Sequence, residues 1–383
     1  MITPEKPIIN RDSPLPLYKQ VEEWLRGQIT NSVWRAGDML PSVKSLCGQL
    51  DGINHLTVRQ AINCLVQEGV LYAVQGRGTF VTERVEKTLR IALVLPNLDD
   101  EFTREIAHGV QEILDDVRMV SEDGGPTRPR ATTVVLDSRR NAQKEDDNIW
   151  SLSDMPLDGA IIFPLAFGRI AERLLQFKLD HFPFVLVDAF IPELNFDSVR
   201  ADHYKGAYEA TMHLLKGGRR RLAWVGNRTG YYSCRERHEG FRDAINDFGL
   251  PYDRSLVFDL GGGSPTAPFK EALHRTFEKM QTNQLLPDGI VAGSDLEAIA
   301  WLEILQSHNI CVPEQVAVVG FDDHPDAAHA MPPLTTVRQP AREIGSQAAK
   351  LVLERIANPG DDSKQLILPV SLVIRDSSVP KIE

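Results

Sequence analysis

Between residues 91 and 323 the chain repeats one pattern: a short apolar run, a polar turn, then a stretch with helical spacing. The runs are IALVLP (91–96), TTVVLD (132–137), GAIIFP (159–164), FVLVDA (184–189), LAWVG (222–226), GIVAG (289–293) and VAVVGFDD (316–323). The spacing predicts helices over 103–118, 169–178, 205–216, 236–248, 267–280, 296–308 and 341–357. Strands apolar on both faces, with helices between them, belong to parallel sheets covered on each side. So many strands exceed one compact half. The expected fold class is therefore α/β, with two Rossmann-like lobes of parallel sheet facing each other across a cleft. The expected first lobe spans about 90–188 and 338–358, the second about 189–337 and 364–383.

Ligands of such sheets sit beyond the carboxyl ends of the strands, so the polar residues there are the informative ones. They are Asn97, Asp99 and Asp100, then Asp188, Ser294 with Asp295, and Asp322 with Asp323. Carboxylates converging on a cleft suit paired hydrogen bonds to a hydroxyl-rich small molecule such as a sugar, and an acidic cleft also suits a cation. Arg237, in CRERHEGF, supplies an opposite charge at the cleft mouth. Plainer roles stand beside these: Asp295 and Asp322 as helix caps, Asp188 as a tie between loops, Arg237 as a surface ion pair. Tyr231 and Tyr232 offer a stacking face or simple loop packing. The glycine run 261–264 lacks the Lys-Ser/Thr of a phosphate loop and reads as a flexible loop.

The first 85 residues follow a different rule. Val21, Trp24, Leu25, Gln28 and Ile29 recur at helical spacing; Ser42 is a natural cap for VKSLCGQL; LTVRQAINCLVQ follows the break at 51–54, with Gly69 as its stop. Two short helices joined by a glycine-containing turn make a helix-turn-helix. VLYAV-QGRG-TFVTE is then two strand-like runs around a glycine-rich turn. Helices followed by such a hairpin make a winged helix, with Gly76-Arg77-Gly78 at the wing tip. The second helix of the pair presents Asn54, His55, Thr57, Arg59 and Gln60 at the end that enters a major groove. Thr57 and Asn54 suit phosphates, and Arg59 a phosphate or guanine. Gln75 and Arg77 lie on a tip slim enough to follow the backbone or enter the minor groove. A surface ion pair is the plainer role for Arg59, a solvated face that for Lys44.

PLYKQVEEWLRGQI, AGDMLPSVKSL and TVRQAINCLVQEGVLYAVQGRGTFV together resemble the winged-helix domain of the GntR regulators over about 65 residues. That resemblance implies DNA contacts from Lys44, Thr57, Arg59, Gln75, Arg77 and Thr79. The chain departs from the pattern at NHLTVR, where His55 takes a commonly basic position, and by one extra residue in LDGIN. Farther along, KGGRRRLAWVG (216–226), RHEGFRDAI (237–245), GFDDHPDAAHAMPPLTTVRQPAREIGSQAAKLVLERI (320–356) and LPVSLVIRDSS (368–378) resemble the sensor domain of the LacI/GalR regulators, which is related to periplasmic sugar-binding proteins. This second resemblance implies effector contacts from Asp188, Arg237, Asp295 and Asp322, with Asp99 and Phe102 in the first strand's loop. Ser294 stands where many relatives carry Asn.

The expected organisation is a winged helix (1–85), a short linker (86–89) and a sensor (90–383). A formal charge of -11 argues against a protein that wholly coats nucleic acid. The charge is unevenly spread: the first 85 residues hold nine Lys and Arg against eight Asp and Glu, so the rest carries all of the deficit. Cys47, Cys64, Cys234 and Cys311 are scattered, without zinc or disulfide spacing, as expected of reduced thiols in the cytoplasm. No secretory leader or membrane span is read from the chain, and no GxSxG, HExxH or P-loop appears. The expected function is a ligand-responsive repressor without cofactor or metal. It would bind operator DNA as a homodimer and a small molecule, a carbohydrate by resemblance, in the cleft. An α/β enzyme with an accessory winged helix is the alternative. Helix 341–356, with small residues on its apolar face, is a candidate dimer surface or a core helix.

Overall fold

The computed structural model describes residues 15–31, 33–50, 52–68, 70–82, 88–116, 131–165, 167–191, 194–226, 232–260 and 267–379. Gly69, Tyr231 and the glycine run 261–264 lie outside them. The chain divides into two compact units, Met1–Lys87 and Thr88–Glu383, so the division falls inside the expected linker.

In the first unit α1 (Leu17–Thr30), α2 (Val43–Gln49) and α3 (His55–Gln67) precede a hairpin of β1 (Leu71–Val74) and β2 (Gly78–Val81). Val21 and Leu25 of α1, Leu46 of α2, Val58, Ala61 and Leu65 of α3, and Leu71 close one core. The Ser42 hydroxyl accepts from the Ser45 amide at 3.2 Å and starts α2. Asn54 Oδ1 accepts from the Leu56 amide at 2.9 Å and starts α3. The hairpin is antiparallel, Leu71 facing Val81 and Val74 facing Gly78. Its turn needs left-handed backbone at both glycines, φ 75° at Gly76 and 136° at Gly78. Met39 bridges to Phe80, so the segment before α2 adds a third short strand to the wing.

The second unit holds two six-stranded sheets. The first contains β3 (Leu89–Leu95), β4 (Ala131–Asp137), β5 (Gly159–Ile162), β6 (Phe184–Val187), β7 (Ser198–Ala201) and β13 (Gln365–Leu368), in the order β13-β7-β6-β5-β3-β4. All of its pairings are parallel. The second contains β8 (Leu222–Gly226), β9 (Val257–Asp259), β10 (Gly289–Ala292), β11 (Ala317–Asp322), β12 (Thr335–Arg338) and β14 (Ser371–Val373), in the order β14-β12-β11-β10-β8-β9. Only β14 runs antiparallel there. The helices of this unit are α4 (Glu101–Asp116), α5 (Ala142–Ser151), α6 (Phe167–Leu179), α7 (His203–Lys216), α8 (Tyr232–Asp247), α9 (Ala267–Thr282), α10 (Asp295–Ser307) and α11 (Ala341–Ala357).

The lobe boundaries differ from those expected. β7 pairs with β6 and β13, so the chain first leaves the first lobe after residue 201, not after 188. Residues 365–368 also belong to the first sheet, not the second. Both strands are four residues long and carry little signal against the longer apolar runs. α5 is not among the expected helices for a related reason: of AQKEDDNIWS only Glu145 and Ile149 are buried, which leaves no apolar spacing to read.

α11 is a core helix, not a surface one. Ile344, Ala348, Leu351 and Val352 join Ile106 and Val110 of α4 in the first lobe's core. Its small residues serve close helix packing: a Cβ on Gly345 would lie 2.0 Å from the Ile106 carbonyl oxygen, and one on Gly109 1.9 Å from that of Arg342. Of the two roles open to 341–356 in the sequence, core packing is the one the structure adopts.

Candidate functional site

On the first unit, α2, α3 with its cap, and the wing carry the side chains expected to meet DNA. Lys44, Asn54, His55, Arg59, Gln75 and Arg77 are exposed, while Thr57 and Thr79 are half-buried. Asn54 spends its side-chain oxygen on the α3 cap, which leaves its amide nitrogen to face outward. Among the described residues no carboxylate pairs with Lys44, Arg59 or Arg77, whereas Arg26 is taken by Glu22 and Glu68. Leu56 was missed: it is 61 % exposed in the first turn of α3, where an apolar side chain suits a thymine methyl. Tyr72 stacks on Phe80 with centroids 5.5 Å apart and stiffens the wing.

On the second unit, the carboxyl ends of both sheets enclose a cavity of about 200 Å³. It opens beside β3 and β5 and beside β10, the strands at which each sheet's order reverses. Of the residues expected to meet the ligand, Phe102, Asp188, Arg237, Ser294 and Asp322 line it.

Arg237, from α8, is its buried centre. Its Nη1 donates to the Gly293 carbonyl at 2.6 Å and lies 3.4 Å from Asp322 Oδ1. Its guanidinium carbon stands 3.8 Å from the Phe321 ring centroid. Its Nε donates to His203 Nδ1 at 3.3 Å, and His203 Nε2 meets Asp188 Oδ1 at 2.6 Å. Because Nδ1 accepts, His203 is neutral and donates through Nε2 to Asp188. Burial holds the His203 pKa below its ordinary value, outweighing the pull of Asp188. Asp322 is pushed well above the ordinary carboxyl range by burial, with Arg237 opposing. Asp188, Asp322 and Asp323 sit at φ 52°, 125° and 57°, strained backbone for non-glycine residues, and it falls at the strand ends that meet the cavity.

Two of the expected residues lie elsewhere. Asp99 is exposed, and its neighbour Asp100 lines the cavity instead. Asp295 is fully buried behind the cleft wall: its Oδ1 accepts from the Thr336 hydroxyl at 2.6 Å and its Oδ2 from the His324 amide at 2.7 Å. The cap role considered for Asp295 is filled by Ser294, whose oxygen accepts from the Glu297 amide at 3.4 Å. Tyr232 packs edge-on against Phe190 at 4.8 Å and is not part of the lining.

The sequence reading also missed Gln339, Arg140 and Phe163. Gln339 Nε2 donates to Asp322 Oδ1 at 2.7 Å, while its buried Oε1 has no hydrogen-bond partner among the described residues. Arg140 lines the cavity 3.7 Å from Asp100. Phe163 meets Phe102 edge-on at 6.1 Å, an apolar wall. Cys234 also lines the cavity, and burial pushes its thiol up to about 12, so it is inert. Among the described residues no cluster of metal-ligating side chains occurs.

A winged helix on one unit and a polar, strained cleft between two α/β lobes on the other define a DNA-binding protein with a small-molecule sensor. Comparison with known proteins gives the same division. Residues 17–81 match the model for bacterial regulatory proteins of the gntR family, and residues 211–378 that for a periplasmic binding protein-like domain. The arabinose metabolism transcriptional repressor of Geobacillus stearothermophilus is 28% identical over 381 residues, covering 96% of this chain and 99% of its own. The HTH-type transcriptional regulator CelR of Thermobifida fusca is 34% identical over 189 residues, 49% of this chain and 53% of its own. Among solved structures, a transcriptional regulator CelR–cellobiose complex superposes with a TM-score of 0.65 at 24% identity, covering 88% of this chain and 100% of that one. A LacI family regulator from Enterococcus faecium with bound ribose gives 0.62 at 24%, covering 76% and 100%. These superpositions speak for the fold.

The chain is a ligand-responsive transcriptional regulator, in which a DNA-binding domain matching the gntR family (17–81) is joined to a periplasmic binding protein-like domain (211–378). The enzyme alternative finds no support among these relatives, which are regulators. No described helix is long and apolar enough to cross a membrane.

Proposed function

We propose that this protein is a cytoplasmic, homodimeric repressor that reads operator DNA through α3 and the wing and releases it when a sugar occupies the cleft. Lys44, Asn54, His55, Thr57, Arg59, Gln75, Arg77 and Thr79 are the proposed DNA contacts. In the cleft, Asp188, Arg237, Ser294, Asp322 and Phe102 are the proposed effector contacts, joined by Asp100, Gln339, Arg140 and Phe163. The observation that carries the sugar reading is the Asp188–His203–Arg237–Asp322–Gln339 chain of hydrogen bonds and charge contacts beside an aromatic wall. Fixed donors and acceptors with an apolar face match the hydroxyls and the C–H face of a sugar ring. The relatives' names agree in kind, one being an arabinose metabolism repressor. The effector changes DNA affinity only by its preference for one state of the lobes, so closure is the quantity that links the two sites.

A thermal-shift screen of the full chain against pentoses, hexoses, disaccharides and nucleosides tests this reading. A sugar that raises the melting temperature and releases the chain from its operator is expected, since a ligand that binds only the folded state stabilises it. A hit confined to nucleosides, with no sugar shifting the transition, overturns it.

A further inference from the structure

Two contacts outside the cavity join the lobes directly. Arg200 belongs to β7 of the first sheet, where it stands opposite Ile367 of β13. Glu236 belongs to α8, which packs on α7 and β8 of the second lobe. The Arg200 Nη1 reaches both Glu236 carboxylate oxygens, at 2.6 and 2.8 Å, and the two side chains are only 10% and 12% exposed. Beside this pair, Phe190, just past β6 of the first lobe, meets Tyr232, the first residue of α8, edge to face at 4.8 Å. The Arg200 guanidinium carbon lies 4.9 Å from the Phe190 centroid, so the ion pair and the aromatic pair form one cluster.

None of the four side chains lines the cavity. The cluster therefore acts on the lobes without touching what the cavity holds. It does reach the cavity through the chain: Glu236 is followed by Arg237, the buried cationic centre of the cleft. A buried charge pair is costly to separate, because each charge left alone stays desolvated. Opening the lobes about their connections would pull Arg200 from Glu236 and Phe190 from Tyr232, and would tilt the α8 turn that aims Arg237. We propose that Arg200, Glu236, Phe190 and Tyr232 form an inter-lobe latch that sets the balance between open and closed sensor and positions Arg237. They are positioning residues, and the latch stands whatever the cavity binds.

The test measures lobe separation in the full chain by pulsed electron spin resonance. Labels are placed on Glu172→Cys of α6 in the first lobe and Lys279→Cys of α9 in the second, both exposed, with Cys47, Cys64 and Cys311 replaced by serine. The parent chain is expected to give one narrow distance distribution. Arg200→Ala and Glu236→Ala are each expected to shift the open-to-closed ratio roughly tenfold or more, as removal of a close charge pair does, and to broaden the distribution toward longer distances. Tyr232→Ala, which removes an aromatic neighbour and no buried charge, is expected to shift it in the same direction by less. It carries the test if a charge variant fails to fold. The charge swap Arg200→Glu with Glu236→Arg is expected to bring back the narrow distribution, which simple damage to folding would not allow. Parental distributions in the folded single variants, or a swap no narrower than the single variants, would overturn the latch.

Discussion

On α2, α3 and the wing, Lys44, Arg59 and Arg77 stand exposed, with no carboxylate partner among the described residues. In the cleft, Arg237 is buried and already makes bonds to His203 and Gly293, contact with Asp322 and a cation–π contact with Phe321. The first arrangement suits a polyanion that brings its own charges and whose affinity comes from counterion release. The second suits a small neutral ligand, met by donors and acceptors whose positions are fixed in advance. One surface is therefore tuned by which side chains are present, the other by what those side chains already hold.

The largest effect belongs to the open surface. Arg59→Ala together with Arg77→Ala removes two unspent cations, each worth about 1–3 kcal/mol if it meets a base or phosphate. Operator affinity, measured by fluorescence anisotropy on DNA selected from a random pool, should fall by roughly two orders of magnitude or more. The salt dependence should flatten by about one unit of slope for each phosphate that is no longer neutralised. Effector binding should be unchanged. Unchanged operator affinity at fixed salt would remove α3 and the wing from the DNA interface, and with them the contrast between the two surfaces.

That contrast also explains what the sequence disclosed. The helices and hairpin of the first unit follow from local spacing, and their outward residues are outward because the same spacing turns the apolar ones in, so Arg59 and Arg77 were legible. The apolar strands of the two lobes were legible too, being continuous runs. β7, β12, β13 and β14 are three or four residues long and are fixed by their neighbours in the sheet rather than by their own pattern. Within the cleft, Asp295 and Asp322 look alike in sequence: each is an Asp at a strand end. Only the partners separate them, Thr336 and His324 for the first, Arg237 and Gln339 for the second. Gln339 lies just after β12, a strand too short to be read from its own pattern, so its place at a strand end carries no local signal.

The pair of aspartates sharpens the contrast inside the cleft itself. Asp295→Ala leaves the Thr336 hydroxyl and the His324 amide without their acceptor in the core, which costs about 2–3 kcal/mol in chemical denaturation. Effector affinity should stay within about threefold, since Asp295 is walled off from the cavity. Asp322→Ala should do the reverse. It removes a half-buried carboxyl held on strained backbone, and weakens the effector about ten- to hundredfold while Arg237 keeps its bonds to His203 and Gly293. Equal losses of effector affinity in both variants would mean that the boundary between core and cleft lies elsewhere.

The smallest effect concerns Glu236, where burial and pairing compete. Burial pushes its carboxyl up to about 7, with Arg200 opposing; Asp188 and Asp202 add to the rise. Those groups face it from β7, from the turn after β6 and from the start of α7. Along α8 its charged neighbours in sequence are Arg235, Arg237 and Glu239. A carboxyl whose pKa is raised in the folded state binds more protons there than when unfolded. Its contribution is therefore fully present below the ordinary value of 4.5 and is lost as pH rises through about 7. Glu236→Gln cannot titrate and has no such slope. The stability of the parent relative to this variant, from paired denaturation curves, should be greatest near pH 5 and decline toward pH 8, by at most about 1.4 kcal/mol per pH unit. A difference that grew with pH would show that the Arg200 charge outweighs burial at this carboxyl.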